Sequence, residues 1–241
     1  MSFSDKKGIT LASGFKLQAA TLLDARGAVD TIAERDELVT LNAVTAGLKV
    51  FVKAEKKTLN IVRIGTSGSV QADVPVHSFV ISEMSLGIDG VLRFYRDNEM
   101  VCDAAFEEAF IKECHWTPLA ARPYAVKASD ELVDKLHTEG VTVKGVTLTA
   151  NGFYGPQGRV LRLPIEMPTV NDEIARFEFG NYKIVNYEME SAAIAGLAAL
   201  MGHRATTICL IIANRANGDA SADYKPHMKK LIEYTLNSLI R

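Results

Sequence analysis

With 241 residues, 48% of them apolar, the chain is long enough for one large α/β domain with a sizeable core. Its 27 Lys and Arg nearly cancel its 29 Asp and Glu, leaving a formal charge of -2, and no Lys/Arg-rich run marks a nucleic-acid surface. The longest apolar stretches, 192–201 and 208–213, fall short of the roughly 20 helical residues that cross a bilayer, and MSFSDKKGIT at the start lacks the apolar run of a signal peptide.

Residues 16–38 have helical composition, with Leu17, Ala20, Leu22 and Leu23 ahead of the charged stretch 34–37. Leu59–Ile64 is a β-branched run that predicts a buried strand stopping at Gly65, and residues 78–82 predict a second strand. A helix is expected over 130–137 with Ser129 as its N-cap, then an alternating strand over 141–149. Residues 190–201 read as a helix apolar on every side and therefore buried; 206–213 form the most apolar strand, and 226–240 a closing amphipathic helix. There is no internal repeat, low-complexity stretch or linker. Strands alternating with helices predict a single domain, a three-layer α/β/α fold on a central mixed sheet, with ligands beyond the carboxyl ends of the strands. Cys102, Cys114 and Cys209 lack metal spacing, and Cys209 reads as a buried thiol. His77, His115, His137, His203 and His227 fit neither a metal site nor a catalytic triad, and neither a P-loop nor a Gly-x-Ser-x-Gly elbow occurs. The expectation is a cytoplasmic protein with no metal, membrane or nucleic-acid partner.

Four segments concentrate chemistry. In Arg63–Ser69 (RIGTSGS), strand alternation puts Arg63 on the face of Leu59 and Ile61, where a buried guanidinium needs an anion or a carboxylate. The glycines and hydroxyls after it let backbone N–H groups and Oγ atoms approach an anion; an Arg in an ordinary salt bridge is the alternative. In Phe153–Arg159 (FYGPQGR), Gln157 and Arg159 offer an amide and a guanidinium to a ring edge carrying a donor and acceptors, and Phe153 offers a stacking face. A polar surface loop with one anchoring aromatic is the alternative there. Tyr187–Ser191 (YEMES) opens the buried helix, where the dipole favours a carboxylate in the first turn. Glu188 and Glu190 point in different directions on a helix, so Glu190 is expected to take the central role, accepting from a sugar diol. Ala213-Asn214-Arg215 puts charge at the carboxyl end of a buried strand, or else a surface Arg at a strand terminus.

Together these segments resemble the nucleoside phosphorylase family, and its uridine phosphorylase branch most closely. RIGTSGS is similar to that family's phosphate-binding strand and loop, FYGPQGR to its uracil-recognition loop, and VNYEMES (185–191) to its ribose-binding segment. ANR at 213–215 resembles the place where purine-specific members carry Asp and pyrimidine-specific members Asn followed by Arg. The likeness runs over roughly 55–241, leaving 1–54 as a divergent part of the domain. Its Gly-Asp-Pro-x-Arg phosphate loop has no counterpart here, no His precedes His77, and the early arginines are Arg26 and Arg35, the first within LLDAR (22–26), a degraded remnant at best. A truncated or naturally reduced member fits that departure.

The resemblance implies reversible phosphorolysis of uridine to uracil and ribose-1-phosphate, with phosphate as co-substrate and no metal or organic cofactor. It implies catalytic roles for Arg63, Glu190 and Arg159, and phosphate contacts from Arg63, Gly65 and Thr66. Ribose contacts would come from Met189, Glu190, Thr66 and Glu188, and base contacts from Phe153, Gln157, Arg159 and Arg215. It implies a homo-oligomer, dimer or hexamer, that shares sites across chains. Two rivals stand beside it: a purine nucleoside phosphorylase or nucleosidase on the same fold, disfavoured by Asn214, and a catalytically impaired paralogue that binds nucleosides.

Overall fold

A computed structural model describes residues 58–240, together with five short strands before them. These are β1 (Ile9–Thr10), β2 (Lys16–Leu17), β3 (Ala19–Ala20), β4 (Val39–Asn42) and β5 (Lys49–Val52). The helix expected over 16–38 lies outside the described residues except at β2 and β3, which are extended because they pair with β1 and β5. Arg26 and Arg35 also lie outside them. The chain divides into two compact units, one built on Met1–Leu59 and one on Asn60–Leu239.

The second unit holds β6 (Asn60–Ser69), β7 (Phe79–Gly87), β8 (Tyr124–Lys127), β9 (Thr142–Thr149), β10 (Glu178–Phe179), β11 (Tyr182–Glu188), β12 (Arg204–Asn214) and β13 (Asp219–Ala220). Its helices are α1 (Ala104–Glu113), α2 (Asp130–Leu136), α3 (Val170–Arg176), α4 (Ser191–Leu200) and α5 (Lys225–Leu239). The α/β class and the mixed sheet are as the sequence predicts. The sheet also closes. β12 runs parallel to β6 on one edge and pairs antiparallel with β7 through Ile208–Leu210 on the other. β7 pairs parallel with β9, β9 parallel with β11, and β11 antiparallel with β6, which completes a five-strand ring. Register shifts at Ser82/Met84, Ile184/Asn186 and Ile211/Ala213 supply the bends, since a bulge kinks its strand and raises the local twist. β8, β10 and β13 add on as edge strands.

Two apolar layers flank the ring. On one side Phe106 and Phe110 of α1 and Ile174 of α3 pack with Met84, Leu86, Leu148, Ile184 and Tyr187. On the other, Val133 and Leu136 of α2 and Leu231 of α5 pack on Ile81, Ile208 and Leu210. Burying a side chain of this size contributes about 1.5–3 kcal/mol, so these layers hold the ring closed. α4 packs against β7, β8, β9 and β12, which its small residues permit. A Cβ at Gly196 would lie 2.7 Å from Leu92 Cδ2.

Most predicted elements appear with ends shifted by a residue or two, as fraying termini allow. β6 departs further. It runs through Gly65 to Ser69 because Cys209–Asn214 continue to offer ladder partners. β7 similarly extends past Ser82 to Gly87, paired with Thr149. Ser129 caps α2 through its main chain, its carbonyl accepting from Leu132 and Val133, while its hydroxyl makes no cap bond. The sequence reading did not anticipate α1, α3, β8 or β11.

Candidate functional site

Gly87 pairs with Thr149 and Thr149 with Glu188, so the carboxyl ends of β7, β9 and β11 lie side by side. β6 runs the other way against β11, with Gly68 opposite Tyr187. Arg63, five residues before Gly68, therefore reaches the space just beyond β11, where Met189 and Glu190 follow.

The Arg63 guanidinium meets two carboxylates there. Its Nη1 lies 3.2 Å from Glu188 Oε2, and its Nη2 donates to Glu190 Oε2. Nη1 also contacts Cys209 Sγ at 3.4 Å, and Nε is buried with no partner. Gly65 makes this pose possible, because a Cβ there would sit 2.6 Å from Nη1. Burial works against the Arg63 charge, but the fields of the Glu188 and Glu190 carboxylates outweigh it and raise its pKa. Burial pushes the Cys209 thiol up to about 11, leaving it a neutral neighbour.

The two glutamates have different standing. The sequence places both in the first turn of the buried helix; the structure puts Glu188 at the last position of β11 and Glu190 at the N-cap of α4. Glu188 Oε1 accepts from Thr149 Oγ1 at 2.5 Å and Ser191 N at 3.0 Å. Its Oε2 accepts from Glu190 N at 2.8 Å and Ser191 N at 2.9 Å. A helix N-terminus has N–H groups without intrahelical partners; here Glu188 accepts those of Glu190 and Ser191, and Thr149 Oγ1 accepts that of Ala192 at 2.9 Å. Its carboxylate is buried and fully engaged, and its pKa is raised by desolvation against the opposing pull of Arg63 and Thr149. Glu190 makes no side-chain cap bond, and its side chain is 20% exposed. It is the carboxylate with room to accept from a ligand.

Beneath this cluster, Ser82 Oγ and Thr147 Oγ1 lie 2.5 Å apart. Thr147 donates to Asn186 Oδ1 at 2.9 Å, and Asn186 Nδ2 to Ser67 Oγ at 2.8 Å. Four ring strands are thus tied across the interior by satisfied polar side chains, an arrangement that rigidifies what stands on it. Thr147, Thr149 and Asn186 escaped the sequence reading, while Cys209 is the buried thiol it predicts. The signal was present as polar residues two apart on strands otherwise apolar (67 and 69, 147 and 149, 186 and 188).

The second cluster gathers Gln157, Arg159, Arg215 and Phe153. Gln157 is buried in a 3-10 turn over Gly155–Gln157. Arg215 Nη1 donates to its carbonyl at 2.6 Å and Nη2 to its Oε1 at 2.5 Å. Arg159 Nη1 donates to the same Oε1 at 2.6 Å and also to the Phe153 carbonyl. The Arg159 guanidinium covers one face of the Phe153 ring at 3.8 Å, and the Arg215 guanidinium lies 4.5 Å over Tyr187. Phe153 is otherwise exposed, as is Met189. Burial and the neighbouring Arg159 charge bring the Arg215 pKa down to about 10.

Tyr187 and Glu188 point to opposite faces of β11, so the predicted residues form two clusters flanking that strand's end. Arg63, Gly65, Glu188 and Glu190 stand in one. Thr66, three residues from Arg63 on an unbroken strand, lies on the Gly68 and Tyr187 face with the other. Asn214 joins neither. It is buried, donating through Nδ2 to the carbonyls of Gln71 at 2.8 Å and Val74 at 2.9 Å, while Oδ1 accepts from Asn217 N at 3.0 Å. Asn214→Asp would turn a carboxylate oxygen onto two carbonyls, and we expect a loss of about 3 kcal/mol or more, read as a lower urea midpoint. A midpoint unchanged from the native chain would show that the side chain is free to turn.

A family model described as the phosphorylase superfamily matches residues 42–238. The chain belongs to that superfamily. The resemblance to nucleoside phosphorylases read from the motifs therefore holds, and the match begins before residue 55. Among curated relatives, uridine phosphorylase of Thermococcus kodakarensis is 23% identical over 164 residues, 66% of this chain and 50% of the relative. The DeoD-type purine nucleoside phosphorylase of Actinobacillus succinogenes is 27% identical over 75% of this chain and 63% of its own. This chain thus spans between half and five-eighths of those relatives' length. A Trypanosoma brucei nucleoside phosphorylase structure, described as showing uridine phosphorylase activity, superposes with a TM-score of 0.65 at 23% identity. That match covers 75% of this chain and 63% of the other, and is a likeness of fold. Among the described residues, no group of three or more His, Cys, Asp or Glu could hold a metal ion, and no helix is long and apolar enough to cross a membrane.

Proposed function

We propose that this chain carries the nucleoside-binding part of a phosphorylase acting on pyrimidine nucleosides, of the uridine phosphorylase type. In that reaction the C1′–N bond to the base breaks and a C1′–O bond to phosphate forms through an oxocarbenium-like sugar. Arg63, with Gly65, would meet the phosphate, and Thr66, on the other face of β6, would not join them; Met189 and Glu190 would fix the ribose, with Glu188 supporting both from behind. Gln157, Arg159 and Arg215, with Phe153 at the rim, would hold the base and the negative charge growing on it. Phosphate is the co-substrate, and the reading requires no cofactor. A homo-oligomer in the cytoplasm goes with it.

The observation that carries the base assignment is the concentration of two guanidinium groups on one glutamine. A leaving pyrimidine accumulates charge on its exocyclic oxygens, which such donors stabilise. A leaving purine needs a proton at N7, and Asn214, where an acid would have to stand, is spent on backbone carbonyls. The second reading, a nucleoside binder with impaired turnover, is favoured by one observation: Arg63 is already paired with two carboxylates.

Calorimetry with uridine, thymidine, inosine and adenosine tests the base assignment. Uridine should bind tightest, and tighter binding of either purine nucleoside would overturn it. In the same titrations Glu190→Gln should weaken uridine about 10- to 150-fold, the roughly 1.5–3 kcal/mol of a charge-assisted bond, with little change in melting temperature. Glu188→Gln should do the reverse, since it breaks the α4 terminus first.

A further inference from the structure

His77 and His227 take no part in either cluster, yet their imidazole rings lie face to face, with centroids 3.5 Å apart and planes 6° from parallel. His77 is where the chain turns into β7. Its φ of 74° lies in the left-handed region, which a residue with a Cβ adopts only when its surroundings hold it there. They do: its N–H donates to the Ile211 carbonyl at 2.7 Å, and Ser78 N closes the turn onto the Pro75 carbonyl at 3.2 Å. Its Nε2 meets Ser221 Oγ at 2.7 Å, and His227, in the first turn of α5, covers its ring. One side chain thus ties together the entry of β7, the run 215–224 that follows β12, and the start of α5.

We propose that the His77–His227 stack is a proton-operated latch, which clamps that run and the first turn of α5 while at least one ring is neutral and releases them once both are charged. One proton is tolerated, because Ser221 Oγ can donate to a bare Nε2 or accept from a protonated one. A second proton sets like charges 3.5 Å apart. The surroundings do not compensate it. The first turn of α5 carries no acid, its N–H groups already make that end positive, and Lys225 and Lys230 stand on the same helix. Asp223 supplies the opposing charge, but it also accepts from Lys225 N at 3.1 Å. From β12 the run meets main chain, Ser221 N donating to the Ile212 carbonyl at 2.8 Å. Desolvation, with His77 and Lys230, holds His227 below the ordinary imidazole range. A histidine lowered in this way stabilises the fold above its unfolded pKa, about 6.5, and that contribution is lost as pH falls through the folded one. The latch therefore opens on the acid side. The rest of α5 is anchored separately, by Leu231 in the apolar layer and Tyr234 against Phe79, so the opening is local.

The test needs no ligand and so stands apart from the proposed function. Amide exchange is measured at pH 7 and pH 5 in the full native chain and in His227→Phe, which keeps a ring to stack but takes up no proton. The readout is the protection factor of the Ser221 and Met228 amides, which bond to Ile212 and Tyr224 on either side of the latch. Acidification should lower it at least about 10-fold in the native chain and less than about 3-fold in His227→Phe, the mark of a local opening tied to one charge. His227→Gln, which neither stacks nor titrates, should show the low protection at both pH values. An imidazole NMR titration of the native chain should find His227 taking its proton below about pH 6.5. Equal losses in the native chain and His227→Phe, or no loss in the native chain, would overturn the latch. So would a His227 that titrates at the ordinary value.

Discussion

Arg63→Met should destabilise the fold by about 3–5 kcal/mol at pH 8, the cost of leaving a buried charge unpaired, and by clearly less at pH 5. The charge at issue is Glu188, since Glu190 is partly exposed and can turn to water. Glu188 has three N–H or O–H partners besides Arg63, so it stays hydrogen-bonded in the variant but loses its counter-ion. Its pKa is raised by burial even with Arg63 in place, and removing a group that lowers it drives it higher. A carboxyl whose folded pKa exceeds its unfolded value binds its proton more tightly when folded. That contribution is fully present below the unfolded pKa, about 4.3, and is lost as pH rises through the folded one. The variant therefore recovers part of its deficit on acidification. Urea titrations of both proteins at the two pH values supply the measurement, and the quantity that matters is their difference. A deficit equal at pH 8 and pH 5 would mean that Glu188 does not take up the proton, and that the Arg63 cluster is held by packing.

The contrast between Glu188 and Glu190 also shows what sequence carries and what it does not. Arg63 was legible because a guanidinium on a β-branched strand is costly, and the structure supplies the carboxylates that cost demands. The loop around Gln157 was legible because Gly155-Pro156 fixes a turn and the polar residues around it have no packing role. A carboxylate before an apolar helix suits its dipole, so the sequence alone makes Glu188 helical. β11 claimed it instead: Ile184 to Glu188 pair with Val146 to Thr149, and the helix then begins at Ser191, one residue after the start expected at 190. The ring closure was not legible at all. It depends on β12 serving β6 and β7 at once, and no local pattern reports a strand's second edge. The sequence presents Arg159 and Phe153 as two independent base contacts, but the guanidinium stacks on the ring.

Phosphate should be the weakly bound substrate. One guanidinium against two carboxylates leaves the Arg63 cluster with a net charge of about -1, and a phosphate dianion entering it meets repulsion unless the Arg63–Glu190 contact opens. No Gly-Asp-Pro-x-Arg segment occurs in this sequence to supply a second arginine. One charge-assisted bond forgone corresponds to about 1.5–3 kcal/mol, so phosphate affinity should fall roughly 10- to 150-fold below that of a site with the pair complete. The base contacts proposed for uridine, all after residue 150, should persist. The measurement is a phosphate titration of uracil release beside direct uridine calorimetry, in the native chain and in Glu190→Gln. Turnover in the native chain should keep rising beyond about 10 mM phosphate while uridine binds well below that. Glu190→Gln should shift the two substrates in opposite directions, weakening uridine by removing the diol acceptor and tightening phosphate by removing a repulsive charge and releasing Arg63. Saturation near about 1 mM phosphate in the native chain, with Glu190→Gln leaving that value alone, would mean that another cation carries the phosphate and that Arg63 serves the two glutamates only.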